Sequence, residues 1–425
     1  MIKIWSGKDS ADLIEKLKKR GRKAYPQVES AVAEIIAHVQ ADGDRAVAEC
    51  TKKFDGAVPE QVEVSCDEME KSAGGCTPEF RHALRRAAGN IRRFHECQKQ
   101  QNWFKADKNG VVMGQRIRPL ARVGIYVPGG TAAYPSSVLM NAIPAKIAGV
   151  GEIIMATPPT KGGKPNPGIM AAALEAGVDR VFQVGGAQAI AALAFGTEMI
   201  QSVDKIVGPG NIYVATAKKQ LYGTVGIDMI AGPSEILIIA DKTANPKFLA
   251  ADLMSQAEHD ALASAVLLTT SQRIAEETVE ELNLQITSLS RRSIIEKSLS
   301  QYGAVAVCRN MEEAVGFANE LAPEHVEICA ANPMEYVEKI DNAGSVFLGN
   351  YSPEPLGDYF AGPNHVLPTG GTARFSSPLS VDSFVKKSSF LYYTKEALAG
   401  ARDDITTLAN AEGLTAHANS ICVRD

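Results

Sequence analysis

From about residue 121 the chain alternates short apolar runs with amphipathic stretches. The runs are ARVGIYV (121–127), EIIMAT (152–157), DRVFQV (179–184), VDKIV (203–207), EILIIAD (235–241), SAVLLTT (264–270), GAVAVC (303–308) and SVFLG (345–349). Short runs rich in Val and Ile predict strands, and the apolar spacing between them predicts helices. Strands alternating with helices predict βαβ units and parallel sheet. Eight strands are many for one open sheet. The Gly- and Pro-rich joint AGPSE (231–235) divides them into an α/β unit over 126–235 and a second that resumes at 236.

The flanks read differently. Residues 1–22 predict a short helical arm that ends in the basic run KLKKRGR (16–22), and residues 23 to about 105 are mainly helical in pattern. Thr77 predicts an N-cap, with Pro78 at the first helical position and Glu79 in the first turn. These early helices are assigned to the second unit as its missing half, giving a discontinuous domain of 23–125 and 236–373. Residues 374–425, polar and then helical in texture, predict a small C-terminal domain or arm.

Composition changes this picture little but excludes several functions. The chain has 425 residues, 45% hydrophobic and 22% charged, with a formal charge of -5. No basic stripe offers a nucleic-acid footprint. The N-terminus lacks the apolar h-region of a signal peptide, and no run reaches the length of a membrane span. Cysteines 50, 66, 76, 97, 308, 329 and 422 form no C-x-x-C pair and no framework spacing, which predicts reduced thiols in the cytoplasm.

The chemistry concentrates around four of the seven histidines. His259, His325, His365 and His417 stand in QAEH, APEH, GDYFAGPNH and EGLTAH, each with a carboxylate or amide close by. His38, His82 and His95 lie in charge-rich helical stretches and predict surface or helix-face positions. Gln256 and His259, three apart, share one helical face. Neutral imidazole and carboxylate are standard zinc ligands, so Gln256, His259, Asp358 and His417 offer two nitrogens and two oxygens. Gln256 taken alone also suits a helix-end hydrogen bond, and Asp358, after Gly357, a turn or cap. Glu324 and His325 are adjacent. On a regular strand they point to opposite faces, but Pro323 predicts an irregular element end, where both reach one pocket as an acid–base pair.

A dinucleotide fingerprint G-x-G-x-x-G is absent. Three glycine turns, VPGGT (127–131), VGGAQA (184–189) and GPGN (208–211), follow expected strands and precede helices. Open α/β sheets bind ligands at such strand ends, although βα loops also use glycine for geometry alone.

With VGGAQAIAALAFGTE, VDKIVGPGN, DMIAGPSEILIIAD, LMSQAEH, APEH, SVFLGNYSPEPLGDYFAGPNHVLPT and GLTAH in place, the sequence resembles the histidinol dehydrogenase family, densely from about Ala121 to Cys422. The resemblance implies two incomplete Rossmann-like α/β domains, the first binding NAD, and a homodimer with an exchanged C-terminal arm. It implies one zinc per subunit on Gln256, His259, Asp358 and His417, the last supplied across the dimer. Glu324 and His325 become the proton-transfer pair. Ser234, His325, Glu412 and the zinc ligands contact substrate, with His365 close by, and Tyr126, Gln188 and Asn211 contact NAD. The implied reaction oxidises L-histidinol to L-histidine through L-histidinaldehyde with two NAD+. The alternative is a paralogue that oxidises another small alcohol, such as a sulfonated diol.

Overall fold

Two parallel six-stranded sheets carry the alternating pattern. A computed structural model describes residues 2–6, 15, 17–18, 25–56, 59, 61–129 and 133–424. The first sheet runs, in spatial order, Glu63–Val64, Arg180–Phe182, Glu152–Ala156, Arg122–Tyr126, Lys205–Val207 and Gly226–Ile227. Only its edge strand Glu63–Val64 is antiparallel. The second sheet runs Lys3–Ser6, Gly303–Val307, Ser264–Thr269, Glu235–Ala240, His325–Cys329 and Ser345–Leu348, parallel throughout. All eight apolar runs form strands, and the joint at 231–235 lies between the sheets.

Each sheet is apolar on both faces, as a sheet covered by crossover helices requires. In the first, Ile153 and Met155 pack with Leu84, Ala88 and Ile91 on one side. On the other, Ile154 and Phe182 pack with Val32, Val39, Val47 and Ile190. The period-two alternation of the strand puts successive side chains on opposite faces. In the second sheet Ile236 and Ile238 join Leu249, Leu253 and Ile274, while Leu237 and Ile239 join Ala314 and Ala318.

This packing corrects the expected grouping. The helices Pro26–Asp55, Cys66–Ala73 and Pro78–Glu96 cover the first sheet, and the second is covered by its own helices, so 23–125 does not complete it. The Thr77 cap is present, its Oγ1 accepting the Phe80 N–H at 3.2 Å. Lys3–Ser6 is a strand on Gly303–Val307 rather than part of a helical arm; Glu15, Leu17 and Lys18 are helical, and most of the arm lies outside the described residues.

The C-terminal segment is not purely helical either. Val385–Tyr393 forms a nine-residue strand paired along its length with Val111–Pro119, which also pairs with Trp103–Ala106. The helices Lys395–Ala411 and Thr415–Cys422 follow. No helix among the described residues is long and apolar enough to cross a membrane.

Candidate active site and metal centre

The helix Pro246–Ala257 follows the strand Glu235–Ala240 and returns antiparallel to it, as a βαβ crossover must. Its last turn therefore brings Gln256 back to the edge where the second sheet's strands begin, and His259 lies in the turn just after the helix rather than on its face as expected. His325 starts the neighbouring strand, paired with Ile236. Opposite stands the first sheet's carboxyl edge, where the helix Pro135–Ala148 begins; its Ser137 Oγ lies 3.4 Å from His365 Nε2.

The irregular element end before His325 is present. Ala322 adopts φ 49°, the one non-glycine residue in the left-handed region among those described. That turn lets both neighbours reach the same residue: Glu324 Oε2 accepts the Glu235 N–H at 2.8 Å, and His325 Nδ1 lies 2.9 Å from the Glu235 carbonyl oxygen. A carbonyl only accepts, so Nδ1 carries the proton and Nε2 is left as a lone-pair acceptor. Burial pushes the His325 imidazole below its ordinary value; His259 and His365 add to this, while Asp358 and the Glu235 carbonyl oppose it. A neutral imidazole with an assigned tautomer is what a general base needs.

His259, Glu354 and Asp358 bring one ligand atom each to within 4.8 Å of one another. Gln256 is buried, and its Oε1 has no hydrogen-bond partner. A buried orphan acceptor is costly, and a cation beside it removes the cost. One oxygen of Glu354, Oε1, is also an orphan and lies 4.0 Å from His325 Nε2. The donor set of imidazole nitrogen and carboxylate and amide oxygens fits a zinc ion. His365 is held beside the cluster, its Nδ1 3.0 Å from the Asp358 carbonyl oxygen. Ser234 immediately precedes the clamped Glu235. His417 and Glu412 are exposed on the C-terminal helical segment, and His417 is not in the His259 cluster within one chain.

Sequence reasoning missed Glu354. Burial, with the Asp358 charge adding, pushes its carboxyl up to about 10. Its N–H donates to Glu327 Oε1 at 2.7 Å, and Glu327, deep in the strand His325–Cys329, is itself pushed well up by burial. Glu327 alternates with His325 on one strand face, which was a readable signal; Glu354 stands in the quoted SPEPLGD without any feature that marks it. His95 is fully buried rather than on the surface. Its Nδ1 meets the Ile91 carbonyl at 2.9 Å, so Nε2 accepts from Asn364 Nδ2 at 3.3 Å, anchoring the loop that presents His365.

At the first sheet's carboxyl edge, buried Tyr126 accepts the Gly186 N–H through its hydroxyl at 3.1 Å, and burial raises its phenol to about 12. Buried Gln188 has an orphan Nε2 on the same helix start. Asn211 caps the helix Ile212–Leu221, accepting from the Tyr213 and Val214 amides. Gly130 and Thr131 of the first glycine turn lie outside the described residues.

A family model described as histidinol dehydrogenase matches residues 18–425. The chain is 56% identical to a histidinol dehydrogenase of Clostridium acetobutylicum over 416 residues, 98% of this chain and 96% of that one. It is 57% identical to a Listeria monocytogenes histidinol dehydrogenase over 398 residues, 94% and 93% of the two chains. The crystal structure of histidinol dehydrogenase from Elizabethkingia anophelis superposes with a TM-score of 0.95 at 40% identity, covering 100% of this chain and 98% of that one. Sequence, motifs and fold agree over nearly the whole length, and the chain belongs to the histidinol dehydrogenase family.

Proposed function

We propose that this protein oxidises L-histidinol to L-histidine through L-histidinaldehyde, passing two hydrides in turn to two NAD+. The observation that carries the reading is the His259, Glu354 and Asp358 cluster beside the neutral, tautomer-fixed His325, with a buried, unpartnered Gln256 oxygen at the end of the helix that precedes His259. Gln256, His259 and Asp358, with the partner subunit's His417, are the residues to hold one zinc per subunit. When bound, zinc supplies a Lewis-acidic template for the substrate's nitrogen donors.

The chain's own groups supply the proton chemistry. His325 Nε2 takes the alcohol proton as hydride leaves the carbinol carbon for the nicotinamide, giving the aldehyde and one NADH. Glu324 accepts a proton from water as it adds to the aldehyde, and the protonated His325 gives its proton to the aldehyde oxygen, which leaves the hydrate and a neutral His325. His325 then deprotonates the hydrate, and the second hydride leaves for a second NAD+, giving the carboxylate. Ser234, His365 and Glu412 complete the substrate contacts. Holding the aldehyde between the two steps prevents its loss. The dinucleotide lies along the first sheet's carboxyl edge, against Tyr126, Gln188 and Asn211, where the strand order reverses between Arg122–Tyr126 and Lys205–Val207.

The protein acts as a homodimer with an exchanged C-terminal arm. The ribbon and its helices expose Phe104, Leu391 and Leu408 at 72, 68 and 66%, a larger apolar surface than scattered single residues make. None of the seven cysteines is paired, in keeping with the cytoplasm. A sulfonated diol or other small alcohol is the weaker reading, because relatives at 56 and 57% identity carry histidinol in their names.

The test is the NADH yield on limiting L-histidinol, before and after chelation. Two NADH per substrate, lost on chelation and restored by zinc, is the expected result. One NADH would stop the reaction at the aldehyde, and none would overturn the reading.

A further inference from the structure

A buried ion pair lies under the GPGN turn that the reaction does not use. Lys218, on the helix Ile212–Leu221, and Asp228, just after the edge strand Gly226–Ile227, have side chains only 3% and 1% exposed and are in direct contact. Both also bind one residue between them. Lys218 Nζ donates to the Gly208 carbonyl oxygen at 3.0 Å, and Asp228 Oδ2 accepts the Gly208 N–H at 2.7 Å. Asp228 Oδ1 accepts the Met229 N–H as well.

Gly208 is an unusual residue to hold. It follows the strand Lys205–Val207 at φ 109°, where an added Cβ would lie 2.2 Å from the Tyr126 carbonyl oxygen. Only glycine passes there. The strand pairing ends at Val207, so the Gly208 peptide groups lie beyond the ladder, and a buried backbone donor and acceptor need partners. The ion pair supplies both. Burying two charges carries a desolvation penalty that an apolar pair would avoid, so solubility and packing do not explain it. Its geometric result is a fixed Gly208, and with it a fixed start to the turn that ends at Asn211.

We propose that Lys218 and Asp228 are positioning residues for the dinucleotide: their ion pair clamps both peptide groups of Gly208 and so sets the 208–211 turn against which NAD+ binds. This rests on the NAD+ site proposed above. It separates the two substrates, since the zinc and base residues sit on the second sheet and depend on neither Lys218 nor Asp228.

The test replaces the pair by an apolar one, Lys218→Met with Asp228→Leu, in the full-length zinc-loaded enzyme. The single variant Asp228→Asn, which keeps an oxygen for Gly208, serves should the double variant not fold. The expected result is a KM for NAD+ raised about tenfold or more, with zinc content intact and the KM for L-histidinol within about twofold. A folded variant with normal KM for NAD+ overturns the proposal, as does an equal rise in both KM values. Gln188→Ala is measured alongside. If it weakens NAD+ while the pair variants do not, only the positioning role fails; if none of the three does, the NAD+ site itself is misplaced.

Discussion

His325 Nδ1 lies 2.9 Å from the carbonyl oxygen of Glu235, the same residue whose N–H is accepted by Glu324 at 2.8 Å. The two peptide groups that flank Glu235 thus orient both members of the proposed proton-transfer pair. The bond to Glu235 decides which imidazole nitrogen is basic, and burial keeps that imidazole neutral near pH 7. His325→Asn retains a group able to donate to Glu235 but has no basic nitrogen. Its kcat is expected to fall about 10²–10⁴-fold, the usual contribution of a general base. Zinc content, measured by elemental analysis of the same preparation, stays at the wild-type level. Normal turnover in this variant would remove His325 from the proton chemistry.

The Gln256 carboxamide oxygen is buried without a partner, and His259 lies in the turn just after the helix. An apolar or crowded surrounding would leave that oxygen destabilising, and the zinc proposed above would remove that cost. His259→Asn is expected to lose zinc and activity together, and added zinc does not restore either at concentrations that reload the chelated wild type. A His259→Asn protein that keeps one zinc per subunit would refute the ligand assignment.

The same two elements show what the sequence could and could not convey. Strand Glu235–Ala240 and helix Pro246–Ala257 were legible because burial on both faces makes a continuous apolar run, and a proline marks the helix start. Helical spacing suggested pairing Gln256 with His259, but the helix ends at Ala257 and His259 lies in the turn after it. Strand Val385–Tyr393 was not legible. Apart from Val385 its residues are exposed, so no alternation of apolar and polar positions announces it, and only its partner Val111–Pro119 defines its register. Nor does an apolar stripe say which sheet it covers: Val32, Val39 and Val47 would suit either, and they pack on the first. Glu354 was missed for a related reason, since its role arises only where the loop after Ser345–Leu348 folds back over Glu327.

Glu354 makes the metal-free protein sensitive to alkali. Its folded carboxyl titrates at about 10, against 4.5 for an ordinary glutamate. The folded state therefore holds a proton that the unfolded chain has lost between these values. Stability is greatest below about 4.5 on this account and falls as pH rises toward 10. Asp252, raised by burial to about 6, adds to the slope at its acidic end. The melting temperature of chelated protein is expected to drop by a few degrees or more between weakly acidic and alkaline buffer. Glu354→Gln, neutral at every pH, flattens this dependence, and zinc raises the wild-type melting temperature most at alkaline pH, where its charge offsets that of the ionised Glu354. Equal slopes for wild type and Glu354→Gln would show that this carboxyl is not the group responsible.

His417 sits exposed on the helix Thr415–Cys422, outside the His259, Glu354 and Asp358 cluster of its own chain. The strand Val385–Tyr393 leads to it along an antiparallel ribbon whose Trp103, Phe104, Leu391 and Tyr392 face solvent in the single chain. The exchanged arm proposed above would resolve both features: the partner subunit would cover the ribbon, and each site would receive His417 across the interface. If so, inactivating substitutions at His417 and at Glu324 fall in different sites of a mixed dimer. A His417→Asn subunit keeps its own Glu324 and can borrow an intact His417 from a Glu324→Gln partner, while the other site of that dimer carries both defects. Each variant alone is expected to be nearly inactive. After the two are unfolded and refolded together in equal amounts, half of the dimers are hybrids with one working site, so activity recovers to about one quarter of wild type by the statistics of random symmetric pairing. Recovery must appear only in the refolded mixture, not on simple mixing of intact dimers. Hybrid dimers isolated by differential tagging that remain inactive would place His417 outside the site or within its own subunit.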